Sequence, residues 1–282
     1  MATISFQERL RAAARANDSW LCVGLDPDPA RVPAELAGRE PAEWLPLFLQ
    51  GIVDATRDLV CCFKPNIAFF EAFGVPGQIA LRQVLRAMPR DIPVLVDAKR
   101  GDIGSTAEAY ARALFDELGA DAVTVSPYLG GDALAPFFAY PDRGVFVLCK
   151  TSNPGSGELQ NLTLADGDPL YVHVARRALT WDQHGTLGLV VGATYPSEVE
   201  AVRQAAPSVP FLVPGVGAQA GDLERAVQAG LDERGEGTIV NASRTITYAS
   251  SGSDWQSAAR AEAERLRSAI NSARTNVATA GR

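Results

Sequence analysis

The chain has 282 residues, 47% of them hydrophobic and 21% charged, with a formal net charge of -7. That balance supplies a full apolar core and excludes a largely disordered chain, while the acidic total and the lack of Lys/Arg runs exclude a nucleic-acid or anionic-membrane surface. An anionic ligand would have to be met by local positive charge.

Residues 1–19 read as an amphipathic N-terminal helix without the apolar core of a signal peptide, and no later stretch approaches the roughly 18 apolar residues of a membrane span. Short runs rich in Val, Ile, Leu, Cys and Phe then recur at 21–25, 59–63, 94–97, 122–125, 145–148, 188–191, 211–213 and 238–240. Amphipathic segments lie between them. Those at 107–118, 196–206 and 222–229 carry apolar residues at three- and four-residue spacing and predict helices. Ser105 or Thr106, Ser197 and Asp222 are candidate N-caps, and Gly119 and Gly230 sit where C-terminal glycines belong. The Gly-, Asn-, Asp- and Thr-rich stretch 152–169 is too long for an ordinary connection and predicts an active-site lid. A helix is expected over 168–184 and another over 254–282, fraying from Thr275. Eight near-continuous apolar strands alternating with helices predict a parallel sheet buried on both faces, closed as a single-domain (β/α)8 TIM barrel over 1–282. Cys22, Cys61, Cys62 and Cys149 fall in the apolar runs without Cys-x-x-Cys spacing. They predict buried free thiols and a reducing, cytoplasmic setting.

In a barrel of this kind the active site is built at the C-terminal ends of the strands. Those ends carry, in chain order, Asp26, Lys64 with Asn66, Asp97 with Lys99, Ser126, and Lys150-Thr151-Ser152. In an extended segment Asp97 and Lys99 share a face, and Asp102 can fold back from the following loop. An ammonium between two carboxylates is a proton-handling arrangement. A salt-bridged strand terminus would explain a lone Asp-x-Lys as well, but both signs of charge at three successive strand ends exceed what fold stability needs. Strands seven and eight end in Gly215 and Gly217, which let backbone N–H groups approach an anion, and in Arg244, whose guanidinium fork suits phosphate oxygens. With Gln219 between them these residues predict a phosphate-ester ligand. The two histidines, His173 and His184, are eleven residues apart on one predicted helix and too distant to share an ion. Asp97 and Asp102 could hold Mg²⁺ through oxygen, but Lys99 between them already offers the countercharge. A site with no metal and no cofactor is expected.

These residues carry a family resemblance that covers nearly the whole chain. The run Asp97-Ala98-Lys99-Arg100-Gly101-Asp102-Ile103-Gly104-Ser105-Thr106 resembles the Asp-x-Lys-x-x-Asp-Ile-x-x-Thr signature of the orotidine 5'-phosphate decarboxylase family, in its longer bacterial branch. Gly24-Leu25-Asp26, Phe63-Lys64-Pro65-Asn66, Thr151-Ser152-Asn153-Pro154-Gly155, Pro214-Gly215-Val216-Gly217-Ala218-Gln219 and Ser243-Arg244 are similar to further family motifs. The resemblance implies that Lys99 is the proton donor, that Asp97 lies beside the substrate carboxylate, and that Lys64 orders the charged network and, with Asp26, binds ribose hydroxyls. It implies that Ser152 meets the pyrimidine edge and that Gln219 and Arg244 hold the 5'-phosphate. It also implies a homodimer in which Asp102 and Thr106 reach the neighbouring active site. Two positions depart from the pattern: Ala242-Ser243-Arg244 stands where many relatives have Gly-Arg, and Gly104 replaces a proline common in the other branch.

Two other chemistries fit parts of the pattern. A Mg²⁺-dependent sugar-phosphate lyase or decarboxylase of the same barrel suprafamily would need a further acidic ligand near the end of strand two, where the sequence offers none before Glu71. A Schiff-base aldolase would use Lys64, Lys99 or Lys150 as a neutral amine, a form that neighbouring carboxylates oppose. A phosphometabolite-binding barrel without turnover would leave the charged array without a task.

Overall fold

The apolar runs form eight short strands: β1 (Leu21–Leu25), β2 (Cys62–Pro65), β3 (Leu95–Arg100), β4 (Ala122–Val125), β5 (Gly144–Lys150), β6 (Leu187–Val191), β7 (Phe211–Pro214) and β8 (Thr238–Ala242). The computed structural model describes residues 4–215 and 220–280. All strand pairs are parallel, in the order β2-β1-β8-β7-β6-β5-β4-β3. Parallel bridges between Phe63 and Val94 and between Asn66 and Asp97 join β2 to β3 and complete the ring. The (β/α)8 barrel expected from the alternation is therefore present. Both faces of each strand are covered, which is why residues such as Val23, Val123, Val147 and Val191 are buried without polar alternation.

Helices surround the ring: α1 (Phe6–Ala16), α2 (Pro41–Thr56), α3 (Ile67–Glu71), α4 (Gly74–Ala87), α5 (Gly104–Arg112), α6 (Gly131–Phe138), α7 (Gly157–Gln160), α8 (Leu170–Trp181), α9 (Pro196–Ala205), α10 (Ala220–Gly230), α11 (Arg244–Thr247) and α12 (Trp255–Ala280). Helix α1 starts with a capping box, Ser5 and Glu8 each satisfying the other's backbone N–H. It packs across the N-terminal end of the barrel. Phe6 meets Phe146 edge-on at 5.8 Å, and a Cβ on Gly144, the first residue of β5, would lie 2.6 Å from the Phe6 ring. Arg9 and Asp121 pair at 2.7 Å at the same end. That end is devoted to stability, which leaves the opposite mouth free for chemistry.

Several strands extend past the limits that apolarity predicts. Lys64 lies inside β2, Lys99 inside β3, and Lys150 inside β5. Strand pairing continues for as long as the neighbouring backbone is available, whereas apolar character stops where the pocket begins. The predicted helix caps are corrected too: α5 begins at Gly104 after Ile103, α9 at Pro196 after Tyr195, and α10 at Ala220, so Ser105, Thr106, Ser197 and Asp222 all lie within first turns. Helix α5 passes into a π-helical turn, Ala113–Glu117, before Gly119 reverses the chain at φ +72°. The 152–169 stretch is not irregular throughout, since a 3-10 turn at Pro154–Ser156, helix α7 and a bridge between Thr163 and Pro169 organise it. Helix α12 spans Trp255–Ala280, with Ala273 buried against the barrel. The four cysteines are buried and free.

Candidate active site

Asp97 is the centre of the polar cluster at the C-terminal mouth. Its Oδ2 accepts from Lys64 Nζ at 3.2 Å, and its Oδ1 accepts from Lys99 Nζ at 2.6 Å and from the Thr124 hydroxyl at 2.8 Å. Side-chain exposure rises along the array, from 4% for Lys64 through 10% for Asp97 to 49% for Lys99, so only the Lys99 ammonium opens onto the mouth. Burial opposes the charged form of Lys64, but the carboxylates of Asp26 and Asp97 outweigh it and hold the lysine above its ordinary value. For Asp97, burial pushes the carboxyl up, and the Lys64 and Lys99 ammonium groups together with the Thr124 hydroxyl more than reverse this, holding it below the usual carboxylate range. Lys64 and Asp97 thus each favour the charged form of the other.

The local backbone explains why Asp97 and Lys99 meet. Val96 pairs with Val123 and Arg100 with Val125, so three residues of β3 oppose one residue of β4. Lys99 absorbs the excess at φ +47°, a left-handed conformation that costs a non-glycine residue roughly 1–2 kcal/mol. The expected cause, simple two-residue alternation in an extended segment, is therefore replaced by a bulge, although the pairing is the one expected. Sequence reasoning missed Thr124, whose hydroxyl accepts the N–H groups of Ala98 and Lys99 at 3.0 and 2.9 Å. Its only signal was a single hydroxyl in the otherwise apolar run 122–125.

Asp102 does not return to Lys99. Its Oδ1 accepts the N–H of Ile103 at 2.8 Å, and no ion pair joins it to Lys99 among the described residues. The expectation that Lys99 sits between two carboxylates of its own chain is corrected, because the Asp102 carboxylate turns to the backbone of its own loop instead. Thr106 is exposed in the first turn of α5. Asp26, directly after β1, accepts the N–H of Asn66 on its Oδ1 at 3.2 Å, which ties the β1 and β2 ends together beside Lys64. Glu71, the first carboxylate after β2, is held by Arg100 at 2.7 Å.

Across the ring from β3, the loops after β5 to β8 approach closely. A Cβ on Gly192 would lie 2.9 Å from the Ser152 backbone nitrogen, and one on Gly215, at φ +80°, would lie 3.0 Å from Ser152 Oγ. A Cβ on Gly24 would fall 1.7 Å from Ser243 Oγ, so only glycine lets the β1 and β8 ends meet. Arg244 opens α11 with an exposed side chain that has no ion-pair partner among the described residues. Gly217 and Gln219 lie outside the described residues. Lys150 is buried, and its Nζ reaches Asn161 Oδ1 at 2.8 Å, Ser156 Oγ at 3.2 Å and Glu198 at 3.5 Å. It fastens the 152–169 stretch to the end of β5 and to α9.

Comparison with known proteins agrees with this geometry. The family model described as "Orotidine 5'-phosphate decarboxylase / HUMPS family" matches residues 19–261. The chain is 56% identical over 274 residues to the orotidine 5'-phosphate decarboxylase of Roseiflexus castenholzii, covering 96% of this chain and 98% of that one. It is 53% identical over 275 residues to the protein of the same name from Bordetella pertussis, covering 96% and 100%. The solved structure of Leishmania donovani OMP decarboxylase is similar with a TM-score of 0.85 at 43% identity, covering 96% of this chain and 99% of that one.

Proposed function

The chain belongs to the orotidine 5'-phosphate decarboxylase / HUMPS family, and from that premise we propose that it converts orotidine 5'-phosphate to uridine 5'-phosphate and CO₂ in pyrimidine biosynthesis, by direct decarboxylation with Lys99 as the proton donor. The observation that carries this reading is one carboxylate held between two ammonium groups, of which only Lys99 opens onto the mouth. When the C6–carboxylate bond breaks, its electron pair stays on C6 in the ring plane, where the pyrimidine cannot delocalise it. A fixed ammonium at that point stabilises the developing charge and then transfers a proton to C6, leaving CO₂ and a neutral amine that solvent reprotonates. Asp97 sits beside the departing carboxylate and Lys64 neutralises Asp97 from the buried side.

The remaining roles follow the strand ends. Asp26 and Lys64 take ribose hydroxyls, Ser152 the pyrimidine edge, and Arg244 and Gln219 the 5'-phosphate with the backbone near Gly215 and Gly217. In the eight-membered ring β7 stands four strands from β3, so a nucleotide spans the mouth with its phosphate opposite its reacting carbon. Asp102 and Thr106 serve the neighbouring site of a homodimer in the cytoplasm. The absence of an Asp102–Lys99 ion pair among the described residues supports this, as do exposed Ile103, Tyr128 and Leu129, which give the adjoining β3 and β4 loops an apolar surface that a second copy would cover.

A Mg²⁺-dependent reading is less well supported, because both oxygens of Asp97 already face ammonium groups and Glu71 is taken by Arg100. For the Schiff-base reading, Lys64 is shifted in the wrong direction for an amine nucleophile. The deciding assay follows the loss of orotidine 5'-phosphate absorbance and the appearance of uridine 5'-phosphate, with and without EDTA. Wild-type protein should turn over equally in both, and Lys99→Ala should lose at least about 10⁴-fold in kcat while staying folded. Near-normal turnover by Lys99→Ala would remove the general-acid assignment, and inhibition by EDTA would favour the metal-dependent alternative.

A further inference from the structure

Thr124 stands behind the reacting lysine, in the strand beside it. It is buried, its hydroxyl has one proton and two lone pairs, and all three are committed. The lone pairs accept the N–H groups of Ala98 and Lys99, at 3.0 and 2.9 Å, and the proton goes to Asp97 Oδ1 at 2.8 Å. Both N–H groups lie in the β3 bulge, where pairing with β4 is interrupted between Val96–Val123 and Arg100–Val125. A buried backbone N–H left without an acceptor is costly. The hydroxyl therefore stabilises the bulge that gives Lys99 its left-handed backbone, and it aims the same Asp97 oxygen that receives the Lys99 ammonium.

Resting on the decarboxylase reading, we propose that Thr124 is a positioning residue for the reaction: through its hydroxyl it fixes both the backbone of Lys99 and the carboxylate of Asp97, and so sets where the ammonium meets C6. Valine has nearly the same shape but no hydroxyl, so it would orphan two N–H groups and leave Asp97 Oδ1 with the Lys99 ammonium as its one remaining donor while keeping the packing. Serine keeps the hydroxyl and loses only a methyl group. Thr124 touches none of the reacting atoms, so it acts by geometry on two residues that do.

The test compares Thr124→Val and Thr124→Ser by steady-state kinetics and by crystallography of the unliganded proteins. Thr124→Val should lower kcat about a hundredfold, the order of loss that accompanies a misplacement of about 1 Å at a reacting group. KM should change less than about threefold, because the phosphate and ribose contacts are remote. Thr124→Ser should recover most of kcat. In crystals, residue 99 of Thr124→Val should leave the left-handed region or lose its contact with Asp97. A Val variant with kcat near wild type, a Ser variant as impaired as the Val variant, or an unchanged Lys99–Asp97 arrangement in the Val crystal would each overturn the proposal. If Thr124→Val fails to fold, Thr124→Ala carries the same comparison. Wild-type protein inactive on orotidine 5'-phosphate would overturn the functional reading instead, and the crystallographic comparison would still decide the role of Thr124.

Discussion

Asp97 receives three donors on two oxygens, and that concentration of contacts makes it the residue on which both stability and chemistry turn. Its carboxyl lies below the ordinary 3.8, because Lys64, Lys99 and Thr124 overcome the opposing effect of burial. A lowered folded-state value means that its stabilisation is complete above the unfolded value and is lost as pH falls through the folded one. Lys64 is raised above 10.5, where the carboxylates of Asp26 and Asp97 overcome burial, so its contribution is complete below 10.5 and is lost as pH rises through the higher folded value. Denaturant midpoints should therefore decline at both extremes, below pH 3.8 through Asp97 and above pH 10.5 through Lys64. Asp97→Asn should remove Asp97's share of the acid decline, leaving that of Asp58 and Asp182, whose carboxyls are also lowered, and, by leaving the buried Lys64 ammonium short of a countercharge, cost about 3–5 kcal/mol at neutral pH. Urea titrations of both proteins between pH 3 and pH 11 would check this, and equal midpoints at pH 7 would show that Asp97 carries no such burden.

Among the elements, the segment between β5 and α8 depends on one buried cation. Lys150 Nζ holds Asn161 and Ser156 from the 152–169 stretch, faces Glu198 of α9, and lies over the Tyr171 ring, 5.6 Å from its centroid. Lys150→Met keeps the stem and deletes the clasp. Hydrogen bonds to charged groups contribute about 1.5–3 kcal/mol each, so losing even one should raise the open population of the segment at least about tenfold. Limited proteolysis should then cut within 157–168 at least about tenfold faster, while the melting of the barrel changes little. Unaltered proteolysis would show that the segment is held by something else. The sequence made these elements partly legible. Eight apolar runs were enough for the closed parallel barrel, and the Asp97-x-Lys99 and Lys150-Thr151-Ser152 groups were visible as charge after apolar runs. Strand ends were misplaced because pairing persists into the polar mouth, which hydrophobicity cannot register. Thr124 and the β3 bulge were missed because a buried hydroxyl between two strands is a tertiary fact, and a threonine in an apolar run reads as an ordinary β-former. The course of Asp102 was misread for the same reason, since its direction depends on backbone dihedrals after Arg100 rather than on spacing.

At the scale of the whole molecule, the ring separates two tasks. The N-terminal end is sealed by Phe6, Phe146 and the Arg9–Asp121 pair, and the C-terminal mouth gathers the charged side chains and close-approach glycines. Each chain therefore joins Lys64, Asp97 and Lys99 by ion pairs, whereas Asp102 makes no ion pair with them among the described residues and Thr106 is exposed. If the homodimer assigns those two residues to the opposite site, each centre is made of two chains, and a defect in one chain can be complemented by the other. Lys99→Ala and Asp102→Ala proteins should each be nearly inactive alone. In a mixed dimer one centre carries both lesions, while the other combines an intact Lys99 with an intact Asp102. Random reassortment of equal amounts in a closed two-fold dimer makes half the dimers mixed, each with one sound centre, so activity should recover to about a quarter of wild type. The measurement is turnover after co-refolding the two variants, with gel filtration or sedimentation confirming the dimer. Recovery no greater than the sum of the separate variants, from a mixture shown to exchange subunits, would place Asp102 outside the neighbouring centre.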